Sequence, residues 1–135
     1  MRFCCFALVL SIFALQAQEK EIRKVPLQPT SMTSGAEMFK TYCATCHGLS
    51  GKGDGPAAAV LKKSPADLTQ LTRRHDGKFP DAYIAAKLKA VDQAAHGSQD
   101  MPVWGPLLSS VSHNGAEAQL RIANIVQYLG SIQAK

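Results

Sequence analysis

Cys43 and Cys46 stand three positions apart, and His47 follows the second thiol directly within YCATCHG at 42–48. Two thiols and an imidazole at that spacing admit three chemistries: a zinc site, a redox disulfide, or covalent attachment of haem. A finger-type zinc site needs two further nitrogen ligands three to five residues apart, whereas His75, His96 and His113 lie 21 and 17 residues apart. A thioredoxin-like pair sits beside a strand–helix–strand pattern, and no strand pattern precedes Cys43. A plain disulfide leaves His47 without a role. Haem attachment uses all three residues, because the two thiols add to the porphyrin vinyl groups and the adjacent histidine reaches the iron from the same face. The expected cofactor is one covalently bound haem c, attached at Cys43 and Cys46, with His47 as an axial ligand.

The other two cysteines, Cys4 and Cys5, fall in an N-terminal stretch with the pattern of a secretory signal: Arg2, the apolar run FCCFALVLSIFAL, and LQA ending at Ala17. The expectation is a signal peptide over 1–17 and export across the inner membrane to the periplasm. An uncleaved anchor is the alternative, but the run from Phe3 to Leu15 is shorter than the roughly 20 residues that span a bilayer. Removing 17 of 135 residues leaves 118, enough for one domain with one small core. With 46% hydrophobic and 19% charged residues the chain has the composition of an ordinary globular protein. Loss of Arg2 takes the formal charge from +5 to +4, and two haem propionates would bring it to +2. No dense Lys/Arg stripe interleaved with aromatics is present, which sets nucleic-acid binding aside.

Residues 18–33, with two prolines and no sustained apolar period, are expected to form a flexible leader, and a single domain is expected over 34–135. Ser34 and Glu37 form a capping-box pattern at the start of a helix running toward the cysteines, with Met38, Tyr42 and Phe39 on its buried side. GLSGKGDGP reads as a loop, PAAAVLKK as a short helix opening at Pro56, and SPADLTQLTRRHDGKF as loop with one turn. A helix is expected over PDAYIAAKLKAV, where Ile84, Leu88 and Val91 recur at helical spacing, and DQAAHGSQDMPVWGP breaks it. The longest periodic segment, NGAEAQLRIANIVQYLGSI, puts Ile122, Ile125, Val126, Leu129 and Ile132 on one stripe. The predicted fold class is all-α.

In this order the segments resemble the monohaem class I cytochromes c, over nearly all of the domain. GAEMFKTYCATCHG is similar to the first helix of that family and IVQYLGSI to its C-terminal helix, while GKGDGP, PADLT and HGSQDMPVWG are similar to bacterial members. The resemblance implies a small cytochrome c fold wrapped around one haem. It implies that the two helices cross, with Gly35 allowing close approach and Phe39 and Tyr128 packing at the crossing. It also implies that the Pro56 carbonyl accepts a hydrogen bond from the His47 nitrogen that does not bind iron. Met101 is the expected second axial ligand, since it sits in a polar loop stiffened by Pro102, where a core methionine would have little to pack against. Met32 and Met38 precede the attachment site, and Met38 reads as a core residue. His96, five residues before Met101, is the competing ligand. Trp104 is either core or a donor to a propionate, and Arg73 and Arg74 are surface residues or propionate partners.

A six-coordinate His/Met iron has no open position for substrate, so the expected function is electron transfer and not catalysis. The expected partners are redox proteins of a respiratory chain or a dehydrogenase. Contact with the membrane is expected only through those partners, and the chain is expected to be a monomer. Two alternatives remain: a haem subunit of a dehydrogenase or oxidase complex, and a gas-binding or peroxidatic protein if Met101 is not a ligand.

Overall fold

The computed structural model describes residues 27–89 and 101–135. The signal segment, the leader up to residue 26, Val91 and His96 lie outside the described residues. Among the described residues the secondary structure is helical, without strands. None of those helices is long and apolar enough to cross a membrane.

The first helical stretch has three parts: α1 (Gly35–Met38), a π-helical turn (Phe39–Cys43) and α2 (Ala44–His47). Ser34 caps it, its Oγ accepting from Glu37 N at 3.2 Å. Half of the expected capping box forms, because the Glu37 carboxylate instead accepts from Ser31 N at 3.5 Å. The wide turn arises where Ala44 N donates to Phe39 O, five residues back. It carries Tyr42 and Cys43. Downstream come α3 (Leu71–Arg74), α4 (Asp81–Lys89), α5 (Trp104–Ser110) and α6 (Gly115–Ser131).

Helix α6 is the backbone of the core and packs against α1, α4 and α5. Asn114 caps it, accepting from Glu117 N at 2.9 Å, and Ile122, Ile125, Val126 and Leu129 of the expected stripe are buried. Ile132 follows the helix as its C-cap and packs partly buried against the core. Ile84 and Leu88 of α4 and Met38 of α1 are buried as expected. At the crossing of α1 and α6, a Cβ on Gly35 would run into the Asn124 carbonyl oxygen and lie 2.9 Å from Tyr128 Cβ. Phe39 and Tyr128 pack there with ring centroids 5.2 Å apart. Gly35→Ala is therefore expected to destabilise the protein by about 1–3 kcal/mol, read as a lower urea midpoint, because backbone on the facing helix leaves the methyl no room.

Two stretches differ from the sequence expectation. PAAAVLKK forms a single 3-10 turn, Ala58–Val60, and not a helix. The backbone at its start is used elsewhere: Gly55 N, just before it, donates to Cys46 O at 3.1 Å and Ala57 N to Thr45 O at 2.9 Å, strapping the segment onto α2. Conversely α5 forms where Gly105 and Pro106 read as breakers. Proline in a first turn forfeits an N–H that has no helical partner anyway, and Gly105 admits the Lys89 carbonyl, 2.6 Å from where its Cβ would lie.

Residues 27–33, expected as the end of the leader, are tied to the domain. Arg121 Nη1 donates to Thr30 O at 2.9 Å, Asn124 Nδ2 to Met32 O at 2.9 Å, and Tyr42 Oη to Gln28 O at 2.6 Å. Arg121 is itself buried and paired through Nη2 with Glu117 Oε1 at 2.9 Å. The Glu117 carboxylate also accepts from His113 N at 3.0 Å and faces His113 Nδ1 at 2.8 Å. The His113 backbone N–H, then its ring, then Arg121 hold the Glu117 carboxyl down at about 2, from an ordinary 4.5. A depressed carboxyl contributes stability that is fully present above its unfolded value and is lost as pH falls through the folded one. Glu117→Gln should therefore lower the urea midpoint at pH 7, and the gap to the parent should close progressively as pH falls from 4.5 toward about 2.

Candidate haem site

The CATCH segment forms the last turn of the first helical stretch and faces a cleft of about 360 Å³. Cys43, Cys46 and His47 line it, as do Tyr42, Met101 and Trp104. Leu68 and Leu71 from the middle of the chain, Ile84 and Leu88 from α4, and Ile125 and Leu129 from α6 supply apolar walls. The fold thus brings Met101 to the cleft that holds His47, across 54 residues of sequence.

The thiols are free, and burial, with Cys46 nearby, pushes the Cys43 thiol up to about 12. The raised value favours the neutral thiol at Cys43. No group of three or more His, Cys, Asp or Glu is placed to hold a metal ion among the described residues. Burial also lowers the His47 pKa, favouring the neutral imidazole that binds metals. Two thiols and a neutral imidazole on one wall of an apolar cleft fit a haem.

His47 Nδ1 lies 3.0 Å from the Ala66 carbonyl oxygen. A carbonyl only accepts, so Nδ1 carries the proton and Nε2 keeps its lone pair. This corrects the expected partner, Pro56. Pro56 is exposed and lines a separate hollow with Ala44, Thr45 and Gly48, where the GDGP loop is strapped along α2. The chain returns to His47 ten residues later, at PADLT. There Asp67 accepts from Thr69 N at 2.8 Å and from Thr69 Oγ1 at 2.6 Å, which turns the backbone at that point. The Thr69 hydroxyl is the main cause of a lowered Asp67 pKa.

Trp104 is buried, with its ring centroid 5.9 Å from that of Tyr42. Arg73 and Arg74 are exposed and neither lines the cleft; Arg74 donates to the Asp67 carbonyl. Sequence reasoning missed Ala66, which acts through a backbone atom and so leaves no side-chain signal. It also missed the Glu117–Arg121 pair, whose i,i+4 spacing was legible but whose burial was not.

An all-α domain enclosing an apolar cleft with a Cys-x-x-Cys-His turn on its wall defines a class I c-type cytochrome domain, a haem-based electron-transfer module. The chain belongs to the family described as cytochrome C oxidase, cbb3-type, subunit III, whose model matches residues 30–116. Comparison with curated proteins and with solved structures gave no significant match.

Proposed function

We propose that the protein carries electrons through a single haem c, bound by thioethers from Cys43 and Cys46 and ligated axially by His47 and Met101. When bound, the haem supplies a one-electron ferrous/ferric couple. His47 orients its Nε2 through the Nδ1 hydrogen bond to Ala66 O, and the leucine and isoleucine walls exclude water. The observation that carries the reading is that His47 and Met101, 54 residues apart, line one apolar cleft beside both thiols. With both axial positions filled the site has no place for substrate, which makes it a carrier and not an enzyme. The N-terminal signal pattern supports a periplasmic location. Redox proteins reached from that compartment are the proposed partners, and a monomer the proposed state.

A second reading, favoured by the description of the matched family, makes the chain a haem subunit of an oxidase complex. Size-exclusion chromatography of the native protein separates the two: elution as a single cleaved chain supports the carrier, and co-elution with larger redox proteins supports the subunit. Absorption spectra of the exported protein in both oxidation states test the chemistry. A split-free reduced haem c spectrum with a weak red thioether band in the ferric form is expected. A five-coordinate spectrum, with carbon monoxide binding rapidly to the reduced form, would instead indicate a gas-binding or peroxidatic protein.

A further inference from the structure

Tyr42 belongs to the cleft wall and to the N-terminal strap at once. Its hydroxyl donates to Gln28 O at 2.6 Å, so the contact at 2.9 Å with Thr30 Oγ1 has Thr30 as donor. Thr30 Oγ1 in turn lies 3.3 Å from Arg121 Nη1, which has only protons to give. The chain therefore runs one way, from Arg121 through Thr30 and Tyr42 to Gln28, with a buried cation at its head to polarise it.

The other side of Tyr42 faces the cleft. Its ring packs against Trp104 with centroids 5.9 Å apart and planes inclined by 35°. Trp104 opens α5 and follows Met101, Pro102 and Val103. Pro102 fixes one backbone angle of that short span, and Trp104 is only 6% exposed. Trp104 thus anchors the backbone of the 101–103 span on its C-terminal side and limits how far Met101 can move from the cleft. What holds Trp104 therefore holds the methionine.

We infer that Tyr42, held by the strap at 28–30, is a positioning residue that keeps Met101 in place as the sixth ligand; this rests on the His47/Met101 reading above.

The test is imidazole titration of the ferric holoprotein, following loss of the thioether band as the external ligand displaces Met101. Tyr42→Phe keeps the ring and removes the hydroxyl, and is expected to raise imidazole affinity about five- to tenfold, the scale of one lost hydrogen bond. Thr30→Ala, on the strap and outside the cleft lining, should act in the same direction by a smaller factor. Ser31→Ala, an exposed strap residue whose hydroxyl bonds locally to Thr33, should leave the affinity unchanged. Denaturation midpoints run in parallel: a merely structural tyrosine would lower the midpoint and leave imidazole affinity alone, and that result overturns the inference. A parent protein lacking the thioether band overturns the ligand reading and the inference together, whereas unchanged affinities with the band present overturn the inference alone.

Discussion

Replacing Met101, the proposed second axial ligand, with histidine is expected to lower the reduction potential by a sizeable fraction of the about 0.8 V that axial ligation spans. A thioether is a soft, neutral ligand that stabilises ferrous over ferric iron, whereas imidazole donates more strongly and favours the ferric state. The same substitution is expected to abolish the weak red band of methionine-ligated ferric haem. Met101→Ala is expected to open the sixth position instead and to let the reduced protein bind carbon monoxide. His96→Ala, outside the described residues, is expected to leave spectrum and potential nearly unchanged. Redox titration and carbon monoxide difference spectra of the three variants check this. The reverse pattern, with His96 sensitive and Met101 silent, transfers the ligand role to His96 and places the potential of the parent protein much lower.

Substituting both Cys43 and Cys46 with serine is expected to leave the chain largely unfolded. The cleft is walled by large apolar side chains, among them Leu68, Leu71, Ile84, Leu88, Ile125 and Leu129. Each contributes about 1.5–3 kcal/mol when fully covered, set against a net stability of about 5–15 kcal/mol for a whole domain. Exposing even part of that wall to water offsets the margin. Far-ultraviolet circular dichroism should show most of the helical signal lost, and acid–acetone extraction should carry any residual haem into the organic layer. From the parent protein the colour should stay with the precipitated chain. A double variant with full helicity and cooperative unfolding would show that the core does not depend on the attached cofactor.

Much of this site is local chemistry and was legible in the sequence. The Cys43–Cys46–His47 spacing states which groups arrive together, because all three ride on one continuous helical stretch. The stripe on α6 and the apolar pair Ile84 and Leu88 on α4 follow from the 3.6-residue period, and the Ser34 cap follows from a side chain that reaches three residues along the chain. Each of these depends on neighbours within about two turns.

What the tertiary structure alone decided is where distant backbone ends up. The Ala66 carbonyl, and not that of Pro56, meets His47, because the Gly-rich loop spends its own hydrogen bonds strapping α2 and the chain comes back to the ring only at PADLT. Helix α5 forms despite Gly105 and Pro106, since a first turn has no N–H to lose and the close Lys89 backbone needs a residue without Cβ. The burial of Arg121 and Glu117, and the strap at 27–33 that Arg121 binds, depend on contacts across about 90 residues. A backbone oxygen looks the same in every residue, and a charged pair at i,i+4 reads as solvated surface until the fold lays another segment over it.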